Sequence, residues 1–238
     1  MDLINYDVAL HKIIELAKER IPGYVCFANV HMTIESYRNI KFAKQVNNAT
    51  LVLSDGVSLV KYINYFYGYV QERIAGMDIF PDLIRHAELN SLKIFLFGTT
   101  QKTLDEINLK IKKEFPGLEI VGLCSPPFDK SLDDEAYIDQ INNSKASLVF
   151  VALGCPKQET WMATHSHKMN AVLLGVGGAF PVYAGITRRA PVFIQNWGLE
   201  WLFRLAQEPR RLFKRYLVTN TLFIYLCLRI KIKSIFTQ

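Results

Sequence analysis

Short apolar runs alternate with longer amphipathic ones along most of this chain. The apolar runs fall at 24–30, 50–54, 93–98, 119–123, 147–153 and 171–177. Runs of that length, rich in Val, Ile, Leu and Phe, predict strands buried on both faces. The stretches near 9–20, 33–47, 57–67, 78–89, 102–115, 133–142 and 157–168 repeat apolar residues at helical spacing. Strand and helix in alternation predict an α/β fold, a Rossmann-like and largely parallel sheet with helices on both faces. In such sheets ligands sit beyond the carboxyl ends of the strands. That rule singles out Asn29 and His31, Asp55 and Gly56, and the segments 98–100, 154–159 and 175–180.

The pattern changes at the C-terminus. The last thirty residues, 209–238, hold seven Lys or Arg and no Asp or Glu, against 28 basic and 22 acidic groups in the whole chain. The net charge of +6 therefore belongs to the tail. Residues 216–228 form an apolar run with basic residues on both sides. As a helix that run would be about 20 Å long, short of a bilayer core of about 30 Å. Basic flanks around an apolar stripe predict a helix lying in the interface of an anionic membrane. The plainer alternatives are a helix packed on the body and a basic arm for nucleic acid. The apolar character of the run speaks against nucleic acid.

At 238 residues, half of them hydrophobic, the chain fits one large domain with an appendage. The expected division is an α/β core over 1–195 and a helical, membrane-associating appendage over 196–238. Cys26, Cys124, Cys155 and Cys227 are scattered with no Cys-x-x-Cys pair, which predicts free thiols in a reducing compartment. Met1-Asp2-Leu3-Ile4-Asn5 has neither the basic nor the apolar segment of a signal peptide. The expected location is thus cytoplasmic, peripheral on the inner face of the cell membrane. His165 and His167 form a His-x-His in a polar stretch, expected to be solvated rather than metal-binding.

Asp55-Gly56 directly follows an apolar run, where a carboxylate would face the crevice as a general base. A helix cap by Ser54 or Asp55 explains the position without chemistry, and for an isolated Asp it is the favoured reading. Arg73 suits a phosphate or carboxylate, and Asp78 suits a helix cap or a sugar hydroxyl. Gly98 leads from a strand into a helix, where free N–H groups favour phosphate, but the surrounding string is no Walker A loop. The string from Gly175 begins a dinucleotide fingerprint but has Phe180 at the third glycine, and it follows the last strand rather than the first. A nicotinamide enzyme is disfavoured on both counts. Gly154-Cys155-Pro156-Lys157-Gln158-Glu159 sets Lys157 against a helix dipole, which an anionic ligand or Glu159 would explain. Arg188, Arg189, Trp197, Trp201 and Arg204 interleave as they would over a sugar or diphosphate. An amphipathic helix burying Trp197 and Trp201 would show the same spacing.

In this order the motifs resemble the WecG/TagA/CpsF glycosyltransferases, glycosyltransferase family 26. The resemblance covers about residues 24–217. It rests on Asn29, Asp55-Gly56, Arg73-x-x-Gly76-x-Asp78, Gly154-x-Pro156-Lys157-Gln158-Glu159 and Gly175-x-Gly177-Gly178. It continues through Ala184-Gly185, Arg189-Ala190-Pro191, Leu199-Glu200-Trp201, Arg204 and Pro209-x-Arg211. Many members have Thr where this chain has Phe27 and Asp where it has Pro181, departures that bear on which sugar is used.

The resemblance implies an inverting, metal-independent transfer from a UDP-sugar, often of N-acetylmannosamine type, onto a polyprenyl-diphosphate-linked saccharide of a cell-surface polysaccharide. It implies Asp55 as general base, with Gln158, Asn29 and Arg73 in the pocket and the appendage closing over the lipid-linked acceptor; we count Gln158 with Asp55 as a candidate catalytic residue. We add Gly76, Asp78, Gly98, Lys157, Glu159, Gly177, Gly178 and Arg189 as candidate substrate contacts. Arg204, Arg210, Arg211 and Arg215 are candidate diphosphate contacts. No cofactor and no metal are expected. Asp133-Asp134 lacks the spacer of an Asp-x-Asp motif, so Arg and helix starts would neutralise the leaving group. The expected partners are the two substrates and an anionic membrane surface, not nucleic acid, with a homo-oligomer left open. Two other classes stand beside this reading: a non-catalytic subunit of a polysaccharide assembly complex, and a nucleotide-binding oxidoreductase.

Overall fold

In a computed structural model of the protein, residues 1–127 and 135–236 are described. The strands are β1 (Gly23–Ala28), β2 (Leu51–Ser54), β3 (Ile94–Gly98), β4 (Ile120–Cys124), β5 (Leu148–Ala152) and β6 (Val172–Leu174). They form one sheet in the order β2-β1-β6-β5-β3-β4, and every pairing is parallel. The helices of the body are α1 (Tyr6–Lys18), α2 (Val30–Arg38), α3 (Ile40–Asn47), α4 (Val57–Tyr67), α5 (Gly76–Leu89), α6 (Gln101–Glu114), α7 (Glu135–Ser144), α8 (Lys157–His165) and α9 (Ala179–Tyr183). Then come α10 (Val192–Trp197), α11 (Glu200–Gln207) and α12 (Pro209–Phe236).

Both faces of the sheet are covered, which is why its strands read as continuous apolar runs. Successive strand residues point to opposite faces. Val25, Phe27, Ile94, Leu96, Leu148 and Phe150 meet α1, α5, α6 and α9. Tyr24, Cys26, Phe95, Phe97, Val149 and Val151 meet α2, α3, α4, α7 and α8. On that second face Phe97 stacks on Trp161 with ring centroids 4.6 Å apart.

All six predicted strands are present, and the differences lie at their ends. The helix expected over 33–47 is two helices. Asn39 adopts an extended backbone and its Oδ1 accepts from the backbone N–H of Lys41 and Phe42. A local cap there outcompetes the helical period. The first strand stops at Ala28 because Asn29 caps α2, accepting from Met32 N at 3.1 Å. The last shrinks to Val172–Leu174, where the chain turns into a glycine-rich loop. Asp133 and Asp134 lie outside the described residues, and the described part of the expected helix 133–142 is within α7. His165 is buried beside Trp161, against the expectation of a solvated pair, while His167 is exposed.

The tail forms α12, a single helix of 28 residues. It lies across α2 and α11, with Leu212 and Thr219 buried. Among the described residues no helix is long and apolar enough to cross a membrane.

Gly98, at the end of β3, has φ 106. A Cβ there would stand 2.6 Å from the carbonyl oxygen of Ala152 on the neighbouring strand. This glycine is thus required by sheet packing, not by a ligand. Gly98→Ala should lower stability by about 2 kcal/mol or more, since both the conformation and the contact are unfavourable. Urea unfolding measures it, and a loss within about 0.5 kcal/mol would show the strand ends to be more yielding.

Candidate active site

A cavity of about 660 Å³ opens over the carboxyl ends of β1, β2, β5 and β6. Its floor comes from the loops after those strands, and α11 and α12 wall it with Glu200, Trp201, Arg204, Arg211, Arg215 and Tyr216. The chain leaves β1 toward one edge of the sheet and β3 toward the other. A parallel sheet opens a crevice where connections diverge in this way.

Asp55 is at the floor. Its side chain caps no helix: the N-cap of α4 is Gly56, with no side-chain cap bond. Ser54 is not a cap either, because its hydroxyl donates to Glu72 O at 3.0 Å. The carboxyl is therefore left to the cavity and to Arg73. Arg73 Nε donates to the Asp55 carbonyl at 2.8 Å, and Nη2 lies 3.9 Å from Asp55 Oδ1. The same Nη2 donates to Glu200 Oε2 at 2.7 Å, and Nη1 lies 3.5 Å from Asp78 Oδ2. Behind this cluster Arg189 pairs with Asp78 and reaches Gln195 Oε1 at 3.1 Å. Burial lifts the Asp55 pKa from its ordinary 3.8 to about 6. Arg73 and Arg204 pull it down, while Glu200 and Asp78 push it up. A carboxyl so placed exchanges a proton near neutral pH.

Gln158 ties the loops after β5 and β6. Its Nε2 donates to Gly175 O at 2.8 Å and to Glu159 Oε1 at 2.7 Å, and Gly154 N donates to its Oε1 at 3.1 Å. The glycines are packed against this strut. A Cβ on Gly177, whose φ is 44, would lie 3.0 Å from Gln158 Oε1. A Cβ on Gly178 would lie 2.7 Å from Arg204 Nη2, so the missing side chain is what seats that guanidinium. Glu159 is fully buried, and burial raises its pKa.

Residues 1–236 match the model of the glycosyl transferase WecG/TagA/CpsF family. The chain belongs to that family. Among its relatives, a protein of Bacillus spizizenii is 33% identical over 79% of this chain and 73% of its own length. One from Bacillus subtilis is 30% identical over 81% of this chain and 75% of its own. A third, from Staphylococcus aureus, is 27% identical over 80% of this chain and 71% of its own. All three bear the name N-acetylglucosaminyldiphosphoundecaprenol N-acetyl-beta-D-mannosaminyltransferase.

For this WecG/TagA/CpsF chain, the cavity gathers Asn29, Asp55, Arg73, Gly76, Gln158, Glu159, Gly177, Gly178, Arg204, Arg211 and Arg215. Five expected contacts are elsewhere. Asp78 and Arg189 stand one layer behind Arg73, and Gly98 packs on β5. Lys157 and Arg210 are exposed and do not line the cavity. Nor does Glu159 explain Lys157, since it is buried against Gln158. Trp197 and Trp201 share no helix face: α10 ends at Trp197, Gly198 turns the chain with φ 77, and Trp201 faces Tyr216 edge-on at 5.8 Å.

Sequence reasoning touched Glu200 and His31 but gave neither of them a role in the site. Glu200 sits in the Leu-Glu-Trp string, but its partner Arg73 is 127 residues away. His31 followed from the strand-end rule. Its two ring nitrogens are buried and Nδ1 lies 3.8 Å from Glu35 Oε1; burial and Arg215 lower its pKa against the opposing pull of Glu35 and the Cys155 backbone.

Because the folded pKa of Asp55 exceeds 3.8, ionising it costs stability that is absent below about pH 4 and fully felt above about pH 6. Asp55→Asn should therefore leave Tm at pH 8 unchanged or higher. A helix cap would instead lose about 1 kcal/mol, several degrees or less in a chain of this size. Calorimetry at pH 5 and pH 8 distinguishes the two.

Proposed function

We propose that this protein transfers a sugar of N-acetylmannosamine type from a UDP-sugar to a polyprenyl-diphosphate-linked saccharide, with inversion and without a divalent cation. The observation that bears most weight is the uncapped Asp55 carboxyl at the cavity floor, its pKa near 6 and Arg73 beside it. The names of the relatives support the acceptor and the sugar. Asp55 takes the proton of the acceptor hydroxyl as its oxygen attacks the anomeric carbon. The bond to UDP breaks on the opposite side of the ring, so one displacement inverts the centre. Arg204, Arg211 and Arg215 line the cavity and supply the positive charge that the leaving diphosphate needs. Asn29, with its Oδ1 committed to the α2 cap, offers its amide N–H groups to a sugar or nucleotide. Gln158 acts as a positioning residue, because its three hydrogen bonds all go to the protein.

We read segment 196–238 as the part that closes the site and holds the enzyme on the inner face of the membrane, where a lipid-linked acceptor would present its head. No observation favours a non-catalytic role or hydride transfer.

Asp55→Asn should lower turnover about 100-fold or more in a radiolabelled-sugar transfer assay. Near-normal turnover would remove Asp55 from the mechanism. In the parent, kcat/KM should rise with pH through an apparent pKa near 6. Glu200→Gln takes away a negative neighbour and should move that limb to lower pH, while Arg204→Gln should move it higher. Shifts of the opposite sign would assign the limb to another group.

EDTA should leave the rate unchanged. Loss on chelation with recovery on adding Mg²⁺ or Mn²⁺ would contradict the metal-independent mechanism.

A further inference from the structure

Away from the cavity, α4 ends in Tyr62, Tyr65, Phe66 and Tyr67, and the following loop adds Tyr69 and Val70. Tyr65, Tyr67 and Tyr69 are each more than half exposed, and Val70 is 98% exposed. The loop is clamped at its base. Gly68 ends α4 with φ 69, Gln71 N donates to Asn64 Oδ1 at 2.8 Å, and Asn64 Nδ2 donates to Gln71 O at 3.2 Å. The buried Gln71 also donates to Ile4 O at 2.8 Å. An apolar tip held out in this way has already lost much of the entropy that docking would cost.

The tip is continuous with α12. Phe223 meets Tyr62 edge-on at 5.8 Å, and Lys231 Nζ lies 5.3 Å from the centre of the Tyr65 ring. Ile224, Leu228 and Ile232 are exposed on the same helix, and Phe223 and Ile224 also line the cavity. Residues 56–71 contain no Asp or Glu, and neither do residues 209–238. Lys61, Arg229 and Lys231 supply positive charge.

We propose that the end of α4, the 68–70 tip and the distal half of α12 form one two-part docking surface for an anionic bilayer. Tyrosine is the side chain suited to the headgroup boundary, with an apolar ring and a hydroxyl for water. Anionic lipid complements the cations, whereas a second copy of the chain would oppose cation to cation. The inference rests on the proposed lipid-linked acceptor. It adds that the catalytic body itself touches lipid, which sets the cavity mouth at the membrane surface.

The test uses the full chain and vesicles of phosphatidylglycerol with phosphatidylcholine. The triple variant Tyr67→Ser, Tyr69→Ser, Val70→Ser keeps the tail and should float with vesicles at least about 10-fold more weakly. Its turnover on a water-soluble acceptor should match the parent, which excludes misfolding. The indole of V70W should shift to the blue and be quenched by brominated lipid. Parental flotation of the triple variant with no quenching in V70W overturns the proposal, leaving the tail as the sole anchor. So does intact flotation together with loss of a parental dimer in sedimentation, which assigns the tip to self-association. Absence of transfer by the parent would instead remove the functional reading, while flotation and quenching still decide the docking surface.

Discussion

Arg73 holds Asp55, Asp78 and Glu200 within reach of one guanidinium, and those carboxyls come from the loop after β2, from α5 and from α11. Three carboxylates converging on a half-buried site would repel one another and shed their charge. A planar group with five donors answers them from several directions at once, which a lysine's single ammonium could not do. The result is a balance. Burial and two acidic neighbours raise Asp55, two arginines restrain it, and it settles near pH 6, where a carboxyl works as a base. The same ion pair couples the body to the C-terminal helices, so the site is complete only when α11 is seated.

The rest of the site depends on close approach. Gln158 uses both ends of its amide to tie the loops after β5 and β6, and Gly177 and Gly178 let the backbone pass against Gln158 and Arg204. The Gly-rich string thus has a packing reason that differs from a dinucleotide fingerprint, although both require the absence of a side chain. The fully buried Glu159 has one oxygen without a hydrogen-bond partner. Its raised pKa favours the neutral acid, for which burial is much less costly.

Residue order alone determined the alternation of strands and helices, because a strand buried on both faces must be apolar throughout and a helix on a sheet must be apolar on one stripe. It also determined which loops could meet a ligand, since parallel strands present all their carboxyl ends at one edge. It identified the family, through strings such as Pro-Lys-Gln-Glu and Leu-Glu-Trp. Tertiary structure decided what each side chain does. Asp55 proved not to be a cap because Gly56 occupies that position, and Lys157, Arg210 and Gly98 stayed out of the cavity although they adjoin residues that enter it. The Arg73–Glu200 contact joins residues 127 apart. Local periodicity records only which face a residue takes on its own element. The partner it meets there depends on how distant elements close over one another.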